Sequence, residues 1–313
     1  MASITADDAF VDRQRIEVSH LTKRYGTVAA VRDLSFTVEP GVVTGFLGPN
    51  GAGKTTTLRM LTGLVAPTSG TATIGGRPFG QLRRPSRTVG AMFDASAFHP
   101  GHTARDHLRV YAAMGGHPDS RVGDLLALLD LTEAADRRTH GFSTGMRQRL
   151  SLATALLGDP PVLLLDEPSN GLDPEGTLWL RGFLRRLADE GRTVLISSHV
   201  LSEMQQLVDD VVVIRRGELV AAGPWSRLAG SPAVLVTSPD ADRLAAVLRG
   251  ARPDGAPQVE DLGGGRLRVH GLDAPGIADL AASHRLRVHE LVSDETSLEQ
   301  LFLDLTADKA ATP

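Results

Sequence analysis

The chain has 313 residues, 42% of them hydrophobic and 22% charged, with a formal net charge of -4. That length predicts one large domain plus a smaller one, and the mild negative charge supplies no basic field for nucleic acid or an anionic membrane surface. The absence of cysteine excludes disulfides and thiolate metal sites, and no run reaches the ~20 apolar residues that span a bilayer.

Residues 1–14 read as a polar, flexible tail. Their opening, MASITADDAFVDRQ, lacks a basic segment followed by an apolar one, so no secretory signal is expected. IEVSHLTKRY, LSFTVEPG and VVTGFLG then read as short strands, from their alternation, β-branched residues and Pro/Gly stops. VVTGFLG runs into a glycine-rich loop, and KTTTLRMLTGL leaves it as a helix ending near Gly63. TATIGG and TVGAMF are predicted strands, and ARDHLRVYAAMGG a helix. The stretch from Asp119 to Arg137 has a helical pattern, and a further helix begins at Ser143-Thr144-Gly145. PVLLLDE and TVLISSH are continuous apolar runs suited to strands buried on both faces of a parallel sheet, and PEGTLWLRGFLRRLADEG between them is a helix. DDVVVIRRGELVAAG reads as a hairpin.

At Gly230-Ser231-Pro232 the texture changes. Beyond it come strand AVLVTS, helix DADRLAAVLRG, two strands around DLGGGRLRVHG, helix PGIADLAASH, strand LRVHELV and helix SLEQLFLDLT. That β-α-β-β-α-β order is the ferredoxin-like arrangement. The expected division is a domain over 15–229, with a helical part over about 101–157, and an accessory α+β domain over 231–313.

The loop GPNGAGKTT, comprising Gly48, Pro49, Asn50, Gly51, Ala52, Gly53, Lys54, Thr55 and Thr56, matches G-x-x-x-x-G-K-[ST] with a strand before it and a helix after it. Its backbone N–H groups would cradle the phosphates of a nucleotide, the Lys54 ammonium would neutralise β/γ oxygens, and the Thr55 hydroxyl would hold Mg²⁺, a hard ion that prefers oxygen. Asp166 and Glu167 end the strand VLLLDE, at the sheet edge where ligands bind in open α/β sheets. Asp166 would complete the Mg²⁺ shell, and Glu167 would orient or deprotonate an attacking water. His199 follows TVLISS and should emerge at the same edge, within reach of a γ-phosphate. Ser143, Thr144 and Gly145 make a second small-residue helix start that carries no lysine; by pattern alone an ordinary serine N-cap explains it as well.

Together these residues resemble the ATP-binding subunit of ABC transporters, a P-loop NTPase of mixed-sheet core with a helical subdomain. GPNGAGKTT is similar to the Walker A motif, FSTGMRQRL to the signature motif, LLLDEP to Walker B with its catalytic Glu167, GLDP (Gly171 to Pro174, including Asp173) to the D-loop, and SSH to the switch histidine. Tyr25 falls where the family stacks an aromatic ring on adenine. The resemblance implies hydrolysis of ATP to ADP and phosphate, with Mg²⁺, by two copies of the chain paired head to tail. Ser143 and Gly145 of each copy would then cover the ATP held by the Lys54 loop of the other. It also implies a separate multi-span membrane permease, a peripheral place on the cytoplasmic face of the membrane, and no nucleic-acid partner. Asp94 stands where most members have glutamine, which resembles the acidic variant of drug, bacteriocin and lantibiotic exporters; it is a Mg²⁺ candidate or a solvated carboxylate. Phe98 and His99 follow it in a loop expected to meet the permease, while His99 and His102 have no third partner in sequence that would make a metal site. Arg83, Arg84 and Arg87 read as a solvated basic cluster. A second reading, an ABC-type ATPase acting on ribosomes or DNA, ranks lower because those relatives carry two nucleotide domains or long coiled-coil insertions, and this chain has neither pattern.

Overall fold

The computed structural model describes residues 14–93, 98–229, 233–250, 257–294 and 297–307. The chain divides into two compact units, at Gly223/Pro224. This boundary lies a few residues ahead of the texture change at Gly230-Ser231-Pro232, because the single helical turn Trp225–Leu228 goes with the second unit.

The first unit begins with strands β1 (Ile16–Tyr25), β2 (Val28–Val38) and β3 (Val43–Leu47), followed by helix α1 (Lys54–Leu61), β4 (Ser69–Ile74) and β5 (Val89–Met92). Three helices come next: α2 (Ala104–Gly115), α3 (Ser120–Leu128) and α4 (Thr144–Ala155). They lie within the stretch predicted to form the helical part. β6 (Val162–Asp166), α5 (Pro174–Asp189), β7 (Thr193–Ser198), β8 (Asp210–Arg215) and β9 (Glu218–Pro224) complete the unit.

β2, β1 and β4 form a small antiparallel sheet. The large sheet has the order β5-β6-β7-β3-β8-β9. Its first five strands run parallel, and β9 returns through the two-residue turn Arg216-Gly217, so the sheet is mixed. β6 and β7 are buried at every position, as their unbroken apolar runs require.

α1 has only eight residues and would not persist alone in water. It is held by Leu58, Met60 and Leu61, packed into the core with Phe46, Val162, Leu164 and Leu195. Each such side chain contributes roughly 2 kcal/mol on burial. The register of the large sheet is pinned by Arg185. Its guanidinium donates to both oxygens of Asp209 at 2.7 and 2.8 Å and to the Leu207 carbonyl at 2.7 Å, while Asp209 accepts from Val43 N–H at 2.9 Å.

Two expectations are corrected. The helical pattern over Asp119 to Arg137 is one helix, α3, and then a short 3₁₀ turn at Thr132–Ala134. Asp130 adopts φ 54°, which ends the helix. Gln14, placed at the end of the flexible tail, is buried, and its carbonyl accepts from Thr193 Oγ1 at 2.7 Å. Residues 1–13 lie outside the described part.

The second unit contains β10 (Ala233–Thr237), α6 (Ala241–Gly250), β11 (Gln258–Gly263), β12 (Arg266–His270), α7 (Ala274–Ser283), β13 (Glu290–Asp294) and α8 (Leu298–Ala307). The sheet order is β11-β12-β10-β13, antiparallel throughout, a split β-α-β pattern. Val236, Leu244, Leu248, Leu267, Val269 and Ile277 make its core. Its last strand starts at Glu290, later than the sequence pattern from Leu286 indicates, because Leu286 turns inward to that core. Arg268 ties the sheet laterally, pairing with Glu260 at 3.2 Å and Asp294 at 2.7 Å.

Candidate functional site

Parallel pairing puts the carboxyl ends of β3, β6 and β7 on one edge, and the register is level. Phe46 and Asp166 both lie opposite Ser197, and Leu47 lies opposite Ser198. The residues that follow, Gly48, Glu167 and His199, therefore leave the sheet side by side. Gly48, Pro49, Asn50, Gly51 and Ala52 form the loop between β3 and α1, and Gly53 caps the helix. Gly53 has φ 109°, and a Cβ there would lie 2.6 Å from the Ala30 carbonyl oxygen of β2. The loop can close against β2 only with glycine at this place. Lys54, Thr55 and Thr56 form the first turn of α1, where backbone N–H groups have no partner inside the helix and the dipole is positive.

Lys54 is 6% exposed. Its ammonium donates to the Gly48 carbonyl at 2.7 Å and lies 3.4 Å from Glu167 Oε1. The other Glu167 oxygen, Oε2, is 2.7 Å from His199 Nδ1. One carboxylate thus links the lysine, the glutamate and the histidine that the sequence placed on three separate motifs. Glu167 itself sits at φ 50°, a left-handed conformation unfavourable for glutamate. It is held from both sides: its N–H donates to Ser197 Oγ at 3.0 Å, and its carbonyl accepts from Asn170 N–H at 3.1 Å.

Asp166 is 8% exposed, and its Oδ1 accepts from Ser197 Oγ at 2.5 Å. No ion pair to Asp166 occurs among the described residues. A carboxylate this deeply buried calls for a cation nearby. No group of three His, Cys, Asp or Glu that could hold a metal occurs among the described residues. An oxygen-preferring ion that takes one or two protein ligands and completes its shell with phosphate and water suits such a donor set, and Mg²⁺ is that kind of ion. Asp94 lies outside the described residues.

Ser197 carries this arrangement and was not singled out from the sequence. Its signal was weak: a serine at the end of a buried apolar strand, two positions before a histidine.

The small-residue helix start is a true N-cap. Ser143 Oγ accepts from Met146 N–H at 3.2 Å. Ser143 and Thr144 are nonetheless exposed. The contacts of this start are with the loop after β6. A Cβ on Gly171 would come 2.7 Å from Thr144 Cγ2, and Gly145 faces Leu172. Asp173 caps α5, its Oδ1 accepting from Gly176 N–H at 2.8 Å. Tyr25 is 52% exposed at the β1–β2 hairpin end, with the Lys23 ammonium 5.0 Å from its ring centre. The β2 residue Ala30 meets Gly53, so the hairpin lies beside the phosphate loop. The rings of His99 and His102 lie 4.4 Å apart between centres, tilted by 34°.

Residues 31–170 match the family described as ABC transporter, and residues 232–299 match a domain of unknown function (DUF8746). The chain is 42% identical over 216 residues to the bacitracin transport ATP-binding protein BcrA of Bacillus licheniformis, covering 68% of this chain and 71% of that one. It is 37% identical over 311 residues to the Nod factor export ATP-binding protein I of Paraburkholderia xenovorans, covering 93% and 96%. Among solved structures, a dimeric ATP-binding cassette in a post-hydrolysis state, bound to ADP and Pi, superposes with a TM-score of 0.62 at 22% identity, over 67% of this chain and 99% of that one; at that identity the likeness establishes the fold. No helix among the described residues is long and apolar enough to cross a membrane. With a glycine-rich loop, a buried carboxylate and a Lys–Glu–His group at one sheet edge, and with relatives of this closeness, the chain is an ATPase belonging to the ATP-binding subunits of ABC transporters.

Proposed function

We propose that this ATPase powers export of an antibiotic-like, peptide or lipid-like molecule through a separate multi-span permease, working as a head-to-tail homodimer on the cytoplasmic face of the membrane. The names of the bacitracin transport and Nod factor export relatives support the exporter part, and the dimeric cassette supports the pairing. Ribosome or DNA action finds no support among those relatives.

The observation that carries the reading is Glu167, shared between Lys54 and His199 at the mouth of the phosphate loop. ATP binds with its phosphates on the Gly48–Thr56 loop and its adenine on Tyr25. Thr55 and Asp166 would hold Mg²⁺, which supplies charge stabilisation on the β/γ oxygens when bound. Lys54 neutralises the transferring phosphoryl, Glu167 orients the attacking water and takes its proton, and His199 holds the Glu167 carboxylate in place and reaches the γ-phosphate. The partner copy supplies Ser143, Thr144 and the Gly145 N–H to the same phosphate, with Asp173 near the junction. Exposure of the Ser143 start in a single chain fits a role toward another molecule. Closure on ATP and opening after hydrolysis are the work delivered to the permease.

The test is E167Q in the full chain. Hydrolysis should fall by about 10² or more, and sedimentation with ATP and Mg²⁺ should show a dimer that the wild type does not accumulate. An E167Q chain that hydrolyses normally, or stays monomeric at saturating nucleotide, overturns the proposal.

A further inference from the structure

Gln148 lies on α4, five residues after the Ser143 cap, and is 8% exposed. Its Nε2 donates to the Asn170 carbonyl at 2.9 Å, while its Oε1 is buried and has no partner among the described residues. It borders a small cavity lined chiefly by apolar groups, among them Leu152, Leu172, Trp179 and Leu180. Leucine or methionine would occupy such a place without leaving an amide oxygen unpaired, which is unfavourable in a protein interior. A polar group kept there against that penalty points to the one bond it makes. The bond continues: Asn170 N–H donates to the Glu167 carbonyl at 3.1 Å. Glu167 is held in a left-handed conformation, so its carboxylate direction depends on both flanking anchors. Ser197 anchors the N–H side. Gln148 anchors the other side, through Asn170.

From this geometry we infer that Gln148 is a positioning residue: it ties the helix that carries Ser143 to the turn that carries Glu167 of the same chain. This rests on the paired-copy reading above. Ser143 then acts on the nucleotide of the opposite site, while Glu167 acts on its own. A shift of α4 when Ser143 engages a phosphate therefore moves the glutamate of the other site, through two hydrogen bonds. The thermodynamic signature is positive cooperativity between two ATP sites that do not touch. Gly171 against Thr144 leaves the loop little freedom to absorb the shift.

The experiment uses the full chain with Q148M, the apolar residue nearest in length and most adaptable in shape. Steady-state hydrolysis is followed over ATP concentration. The expected result is a kcat reduced about tenfold, equivalent to about 1.4 kcal/mol, a half-saturating ATP concentration within about twofold of wild type, and a Hill coefficient that falls toward one. A merely structural role would not lower the Hill coefficient at constant melting temperature. Should Q148M melt early, Q148L, which fills the same space, decides. In the E167Q background, the Q148M change should leave the ATP-dependent dimer intact by sedimentation. A dimer with wild-type kcat and Hill coefficient in the Q148 variants overturns this inference alone. A monomeric E167Q chain overturns the pairing itself.

Discussion

Ser197→Ala removes one hydroxyl from a fully buried site and should affect both stability and turnover. Ser197 Oγ donates to the Asp166 carboxylate at 2.5 Å and accepts from Glu167 N–H at 3.0 Å. The second loss is partly covered, since the Ser197 carbonyl also lies 3.2 Å from Glu167 N. The first is not, because Asp166 is buried. A hydrogen bond to a charged group contributes about 1.5–3 kcal/mol, so S197A should destabilise the first unit by roughly 2–3 kcal/mol. For a unit of this size that corresponds to a fall in melting temperature of about 5–10 °C. Displacement of Asp166 and Glu167 should also lower kcat by about ten- to a hundredfold. Ser198→Ala is the internal control. Its hydroxyl is equally buried, but among the described residues it pairs only with the neutral Val200 backbone, accepting at 3.0 Å and donating at 3.4 Å. It should cost about 1 kcal/mol. Thermal melting by circular dichroism and phosphate release would be measured side by side. If S197A and S198A melt within about 1 °C of each other, the charge-assisted bond is not what holds the carboxylate pair, and the reasoning fails.

Gly53→Ala should lose nucleotide affinity by more than about tenfold in a fluorescent-nucleotide titration, because its Cβ would enter the Ala30 carbonyl at a φ that alanine rarely adopts; unchanged affinity would refute the loop's dependence on that glycine. His107 gives a pH dependence. It is buried against Phe98 and Tyr111 and meets Thr154 Oγ1 at 3.0 Å. Burial, with a smaller contribution from His102, lowers its pKa to about 4. The unfolded chain, whose histidine titrates near 6.5, binds that proton first as pH falls. The stability contribution of the neutral ring is therefore fully present above about pH 6.5 and is lost as pH drops toward 4, by about 2 kcal/mol after allowance for solvent screening. Urea midpoints should fall more steeply over that window for wild type than for H107F, and parallel slopes would refute the assignment.

Short-range chemistry made most of the candidate site readable from sequence. The phosphate loop depends on glycines at fixed offsets, and Asp166 and Glu167 on a carboxylate pair ending a five-residue apolar strand. Each signal lies inside one loop or one strand. The remaining parts are relations between strands. Ser197 became legible only once the register set it opposite both Phe46 and Asp166. Gln148 reads as an ordinary polar helix residue until the loop carbonyl of Asn170 folds over it. The break at Asp130 was hidden because aspartate, unlike glycine, does not announce a left-handed backbone. The late start of β13 follows from Leu286 being claimed by the core.

Glu167, the residue proposed to orient the attacking water, occupies a backbone conformation better suited to asparagine or glycine. Chain folding and chemical competence therefore pull in opposite directions at this single residue. Replacing Glu167 by asparagine or glycine would relax the main chain at this position. An E167N chain should therefore gain main-chain stability at this turn whatever it does to hydrolysis.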